Sequence, residues 1–253
     1  MSARRIALCI AYDGTDYAGW QRQKNGLSIQ QVVEETIERL FAEQVHLVAS
    51  GRTDAGVHAE GQVAAFDLMH EVPTERLMAA LNSNLPETIR IMDAWEAEPD
   101  FQPRYDAKRK TYRYAVYNAG ILPPQRRLYA VREYRQINWE LVAQGLKTIE
   151  GTHDFAAFHS TGSSEKSTER TIYKARTYVS ADDADIHFIE LTGNGFLYNM
   201  VRIIVGTVLD IGCGKRNMDC IEEAFCTGDR DLTGPTAPAK GLTLVCVEYE
   251  KTR

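Results

Sequence analysis

Ser28-Ile29-Gln30-Gln31-Val32-Val33-Glu34-Glu35-Thr36-Ile37-Glu38-Arg39-Leu40-Phe41-Ala42-Glu43 lies between the apolar runs Ile6–Tyr12 and Val45–Ala49. Its apolar side chains recur at helical spacing with charged ones between them, which predicts an amphipathic helix. Ser28 stands as the N-cap, and Gln31 follows three residues later, the spacing of a capping box. Before this helix, Ile6–Tyr12 reads as a strand; after it, Val45–Ala49 and Val63–Leu68 read as two more. A second helix is predicted over Thr74–Leu85, opening at Pro73-Thr74, and a further strand over Ile89–Ala94. The resulting order is β-α-β-β-α-β, a split βαβ pattern of the ferredoxin-like type.

The remainder of the chain repeats that order. Thr111–Tyr117 reads as a tyrosine-rich strand and Asn138–Ile149 as a helix stopping before Gly151. Ile172–Val179 and Ile186–Thr192 alternate as strands around Ala181-Asp182-Asp183-Ala184. Phe196–Ile211 is apolar at helical spacing, a short helix is expected near Met218–Cys226, and Leu242–Tyr249 reads as the last strand. The expectation is an α+β protein of two such halves, with antiparallel sheets and helices on one sheet face. The junction is placed near Asp100–Tyr105, flanked by Pro99 and Pro103, which divides the chain into 1–103 and 104–253. The polar loop His159–Arg170, with Glu165-Lys166 within it, is expected to be mobile and near a ligand edge.

The chain of 253 residues is 44% hydrophobic and 25% charged, as ordinary globular proteins are. No apolar run approaches the ~20 residues that a membrane helix requires. Arg4 and Arg5 precede the short apolar run Ile6–Tyr12, which stops at Asp13-Gly14 with no small-residue cleavage pattern, so a signal peptide is not expected. Five scattered cysteines (Cys9, Cys213, Cys220, Cys226 and Cys246) contain no C-x-x-C pair, which argues against zinc and disulfides and for a reducing cytoplasm. The six histidines show no metal-ligand spacing, so no metal is expected.

A net charge of −6 hides a strong local asymmetry. Between Arg104 and Arg135 lie nine cations (Arg104, Lys108, Arg109, Lys110, Arg113, Arg126, Arg127, Arg132 and Arg135) against Asp106 and Glu133. Tyr105, Tyr112, Tyr114, Tyr117, Tyr129 and Tyr134 are interleaved with them. Cations for phosphates beside flat rings for bases suit a nucleic-acid partner. The same pattern also fits a solvated strand face with core tyrosines alternating behind it.

Three places can carry chemistry. In Gly51-Arg52-Thr53-Asp54-Ala55-Gly56-Val57-His58 an acid sits between an Arg and glycines, directly after a strand, where a loop can present it to a ligand. The alternative there is a plain Asp-Ala-Gly turn. The second place is Lys110-Thr111-Tyr112-Arg113-Tyr114. The third is Gly195-Phe196-Leu197-Tyr198-Asn199-Met200-Val201-Arg202, where Arg202 enters an apolar helix. A guanidinium so placed either snorkels at the helix edge or needs a partner, and Asp54 is a candidate. Val208-Leu209-Asp210-Ile211-Gly212-Cys213-Gly214 imitates the first motif of S-adenosylmethionine methyltransferases. That motif needs a strand before the glycines, and here the spacing predicts a helix capped by Gly212.

Seven stretches in order then carry a resemblance: residues 12–21 (YDGTDYAGWQ), 51–59 (GRTDAGVHA), 82–86 (NSNLP), 110–118 (KTYRYAVYN), 151–158 (GTHDFAAF), 193–206 (GNGFLYNMVRIIVG) and 236–245 (TAPAKGLTLV). Together they resemble the tRNA pseudouridine synthase A family over nearly the whole chain. The resemblance implies isomerisation of uridine to pseudouridine at positions 38, 39 and 40 of the tRNA anticodon stem-loop. It further implies two α/β halves around a cleft, assembly as a homodimer, and no cofactor or metal. The family's catalytic aspartate falls on Asp54, its active-site tyrosine on Tyr112 and its basic residue on Arg202. Arg52 falls where the family contacts RNA, and Arg104 opens the basic segment expected to meet phosphates. Near 165–171 the family has a cysteine or arginine followed by threonine, whereas this chain reads Glu165-Lys166-Ser167-Thr168-Glu169-Arg170-Thr171, so no role is carried onto that loop. Two other readings compete: an RNA-binding module without catalysis, and a methyltransferase.

Overall fold

Strand β1 (Arg4–Tyr12) buries Ile6, Leu8 and Ile10 completely, and the chain then reaches helix α1 (Ile29–Phe41). In a computed structural model that describes residues 3–160, 162 and 167–250, the following elements are β2 (Val48–Ala49), β3 (His58–Leu68), α2 (Thr74–Asn84) and β4 (Ile89–Glu96). Then come β5 (Ala107–Tyr117), β6 (Val131–Arg132), α3 (Trp139–Ile149), β7 (Gly151–Asp154), β8 (Glu169–Val179) and β9 (Ile186–Gly193). Helices α4 (Met200–Gly212) and α5 (Cys220–Thr227) and strand β10 (Leu242–Tyr249) complete the order. The architecture is mixed α+β with mostly antiparallel pairing.

The chain falls into two compact units, Met1–Lys108 with Thr243–Arg253, and Arg109–Leu242. In the first, β1 pairs antiparallel with β4 on one edge and with β3 on the other. The far edge of β3 takes β2 antiparallel at Ala64-Ala65 and β10 parallel at His58-Ala59. Ser28 caps α1 as its type predicts, accepting from the Gln31 backbone N–H. The second half of the expected capping box is absent, because the Gln31 side chain donates to Glu35 at 2.9 Å instead. Glu34, buried on α1, accepts from Gln30 Nε2 at 2.8 Å and from the Leu47 backbone N–H at 3.0 Å. That carboxylate fixes the chain just before β2. Only Val48 and Ala49 of the expected strand Val45–Ala49 are paired.

In the second unit the sheet runs β5-β9-β8-β7, all antiparallel, with β6 parallel to β5. Asn138 caps α3, accepting from the Glu140 and Leu141 backbone N–H groups. Strand β8 starts at Glu169, earlier than expected, so the end of the polar loop is paired to His153-Asp154. Thr161 and residues 163–166 of that loop lie outside the described residues.

Two expectations about α4 are corrected. It begins at Met200 and not at Phe196, because Asn199 sits in the left-handed region at φ +61° and breaks the run. Gly212 is not the left-handed cap. It is the last helical residue, where a Cβ would come within 2.6 Å of Val142 Cγ2 on α3, while Gly214 takes the positive φ of +70°. Residues 208–212 are therefore helical, and the strand that a methyltransferase motif requires is not there. Among the described residues no helix is long and apolar enough to cross a membrane, and no group of three or more His, Cys, Asp or Glu side chains gathers to hold a metal ion.

Candidate active site

The loop that bears Asp54 is latched at several points by its own unit. Gln62, fully buried on β3, accepts from Ser50 Oγ at 2.7 Å and donates to the Gly51 carbonyl at 2.9 Å. The Tyr12 and Thr53 hydroxyls share a hydrogen bond of 2.7 Å, and the Trp20 backbone N–H donates to the Thr53 carbonyl at 3.0 Å. Burial pushes the Tyr12 phenol up to about 12, so it remains protonated at neutral pH. Beyond the acid, Val57 N–H donates to the Asp54 carbonyl at 3.1 Å, closing a β-turn over Ala55-Gly56. Gly56 supplies φ +77° at the turn's third position, which a side chain would resist.

The 12–21 motif has a physical task here. A Cβ on Gly14 would lie 2.0 Å from the Val57 carbonyl oxygen, and one on Gly19 2.6 Å from that of Thr53. Backbone from the motif thus presses directly on the loop. Gly14 N–H also donates to His58 Nδ1 at 3.1 Å, just past the turn. Asp54 is half-buried and Arg52 exposed. The Asp-Ala-Gly turn expected from the sequence is present, and Asp54 stands at its first position. Arg104, exposed, lies in the same unit in the turn over Gln102–Asp106, with its guanidinium 5.7 Å from the Tyr105 ring centroid.

Tyr112 and Arg202 are held by the second unit. Tyr112 is 8% exposed and meets Phe196 edge to face, with ring centroids 5.1 Å apart. Tyr114, two residues on and fully buried, donates its hydroxyl to the Pro238 carbonyl at 2.9 Å. Burial raises the Tyr114 phenol far above its ordinary value, and the Arg202 charge opposes that shift. Arg202 does not snorkel. Its Nε donates to the Ala237 carbonyl at 2.6 Å and its Nη1 to Asn199 Oδ1 at 2.8 Å. These two bonds aim the guanidinium. The Ala237 backbone is brought there by close packing: a Cβ on Gly206 would meet the Pro235 oxygen at 1.8 Å, and Gly234 N–H donates to Thr207 Oγ1 at 2.8 Å.

Within the basic segment β5 is exposed only at Lys108 and Arg109, and from Thr111 to Tyr117 both its faces are buried apart from half-buried Arg113, so the expected solvated face is not found there. Tyr112, Tyr114 and Tyr117 are core residues, whereas Tyr105 and Tyr134 outside β5 are each 77% exposed. Arg135 is bound by Glu133 at 2.7 Å and Asp210 at 3.3 Å, and Arg126 lies 3.4 Å from Asp183. Those cations are engaged within the protein. Sequence reasoning missed Tyr12, Gln62, Asn199 and Ala237 as supports; the motif stretches at 12–21, 193–206 and 236–245 contain three of them.

A family model for tRNA pseudouridine synthases matches residues 8–106 and 146–250. The chain belongs to that family, whose members are isomerases. Among its relatives is tRNA pseudouridine synthase A 1 of Desulfotalea psychrophila, 42% identical over 252 residues, covering 97% of this chain and all of that one. The tRNA pseudouridine synthase A proteins of Geotalea uraniireducens and Acetivibrio thermocellus are each 44% identical, again over 97% of this chain and all of theirs. Asp54, Arg52, Arg104 and Arg202 fall within the matched segments; Tyr112 lies between them.

Proposed function

We propose that this protein isomerises uridine to pseudouridine in tRNA, at positions 38, 39 and 40 of the anticodon stem-loop, with Asp54 as nucleophile. The reaction breaks the N1–C1′ glycosidic bond, turns the uracil, and joins C5 to C1′; C5 loses a proton and N1 gains one. Nothing is oxidised or hydrolysed. A carboxylate is the group that can attack or stabilise an electron-poor carbon, C1′ or C6, and Asp54 is assigned that role. In this reading Arg202 holds Asp54 ionised, since a neighbouring cation lowers an acid's pKa by ~1–3 units. Tyr112 stacks on the uracil, and its hydroxyl relays the C5 proton, directly or through water, giving up its own proton as it accepts. The target uridine leaves its stack at a cost of a few kcal/mol, aided by Arg52, and Arg104 contributes to compensating phosphate contacts.

The loop bearing Asp54, latched on both sides of the acid and lying inside the family match, is the observation that carries this reading. The antiparallel order β4-β1-β3-β2 of the first unit supports the ferredoxin-like description of residues 1–103, with 104–253 as the half carrying Tyr112 and Arg202. A homodimer acting in the cytoplasm completes the proposal. The test is to incubate the protein with unmodified tRNA and no added cofactor, then map pseudouridine by carbodiimide treatment and primer extension. Stops at 38, 39 or 40 support the reading. No product sinks it, and product only with S-adenosylmethionine would return the methyltransferase.

A further inference from the structure

Asn199 stands at the N-cap of α4 without behaving as one. An N-cap residue ordinarily has extended backbone, and its side-chain oxygen accepts a helix N–H. Asn199 has φ +61° and ψ 2°, and makes no such bond. Asparagine enters the left-handed region more readily than most residues, yet the region is sparsely populated and persists where the surroundings over-determine it. The amide is spent elsewhere. Its Oδ1 accepts from Arg202 Nη1 at 2.8 Å, and its Nδ2 donates to Ser160 Oγ at 2.9 Å. The Ser160 backbone N–H donates in turn to the Tyr198 carbonyl at 3.1 Å, which ties the two segments together. With Ala237 accepting from Nε, Asn199 is a second fixed acceptor on the planar guanidinium, and two acceptors at separate points set the orientation of that plane.

We propose that Asn199 is a positioning residue for Arg202: its amide, held by Ser160, aims the guanidinium that the reaction uses. This rests on the function proposed above. A group held in productive geometry by such support loses rate when the support goes, even though the support touches no substrate. The left-handed backbone makes the idea separable from a merely structural role, because glycine adopts this conformation without penalty.

The experiment measures steady-state kinetics on unmodified tRNA and thermal unfolding of the full chain. Asn199→Gly keeps the backbone and deletes the amide: Tm should be unchanged or higher and KM little changed, while kcat falls on the order of 10- to 100-fold. Asn199→Asp keeps an acceptor for Arg202 and should restore most of kcat. Wild-type kcat in Asn199→Gly, a fall in its Tm that matches the loss of activity, or equal damage in Asn199→Asp would each overturn the proposal. Arg202→Ala separates the two levels. If it is inactive while Asn199→Gly is fully active, only the role of Asn199 falls; if Arg202→Ala turns over normally, the role of Arg202 falls with it.

Discussion

Tyr12 shows how a single residue can matter to a site without reaching it. Its ring is buried, and its hydroxyl reaches Thr53, immediately before the proposed nucleophile. Tyr12→Phe would leave Thr53 Oγ1 without that buried partner, so stability should fall by about 1–3 kcal/mol in urea unfolding. Turnover should fall as well, because the loop loses one latch. The pH dependence has a definite sign. The Tyr12 pKa is raised from 10.0 to about 12, so its contribution is fully present below 10 and is lost as pH rises through 12. The wild type should lose stability over that window, and Tyr12→Phe should lose less; identical alkaline profiles would remove Tyr12 from the account. The turn at Asp54 was legible in the sequence from its neighbouring glycines. The Tyr12–Thr53 bond was not, since the partners are 41 residues apart and no local spacing encodes the contact.

Elements follow local chemistry closely where the signal is local. Ser28 and Asn138 cap their helices as side-chain oxygens at those positions should, and α1, α2, α3 and β10 lie within a few residues of their predicted spans. Helix α4 shows where that logic ends. Phe196 to Tyr198 have helical apolar spacing, but the Arg202–Asn199–Ser160 bonds hold Asn199 in a conformation that stops the helix. The role of Gly212 is likewise set by Val142 on another helix, which only packing reveals. Gly206→Ala tests such packing directly. With the Pro235 oxygen 1.8 Å from the new Cβ, α4 and the 234–237 segment must separate. We expect a loss of about 1–3 kcal/mol, the usual cost of overpacking, and a larger fall in turnover than in tRNA affinity, because Ala237 no longer meets Arg202. Unchanged thermal unfolding in Gly206→Ala would contradict this packing.

At the scale of the whole molecule, composition misleads in one respect and informs in another. A total charge of −6 gives no hint of a polyanionic partner, while the segment 104–135 does. Its β5 tyrosines, Tyr112, Tyr114 and Tyr117, are core residues, whereas Tyr105 and Tyr134 outside that strand are exposed, and part of its charge is spent on Glu133, Asp183 and Asp210. Arg104, exposed, should be a phosphate contact: Arg104→Ala should weaken tRNA binding for all sequences alike and reduce the salt slope by about one. An unchanged slope would remove it from the RNA track. The family was legible only from seven motifs taken together, since each alone also has a structural reading, as Gly14 and Gly206 demonstrate. The central claim is that Asp54 performs the chemistry and the rest of its loop holds it in place. Pseudouridine formation by Asp54→Asn, measured on unmodified tRNA beside equilibrium tRNA binding, tests it most directly. Asp54→Asn should form no product with affinity largely intact; wild-type turnover in this variant would remove Asp54 from the chemistry.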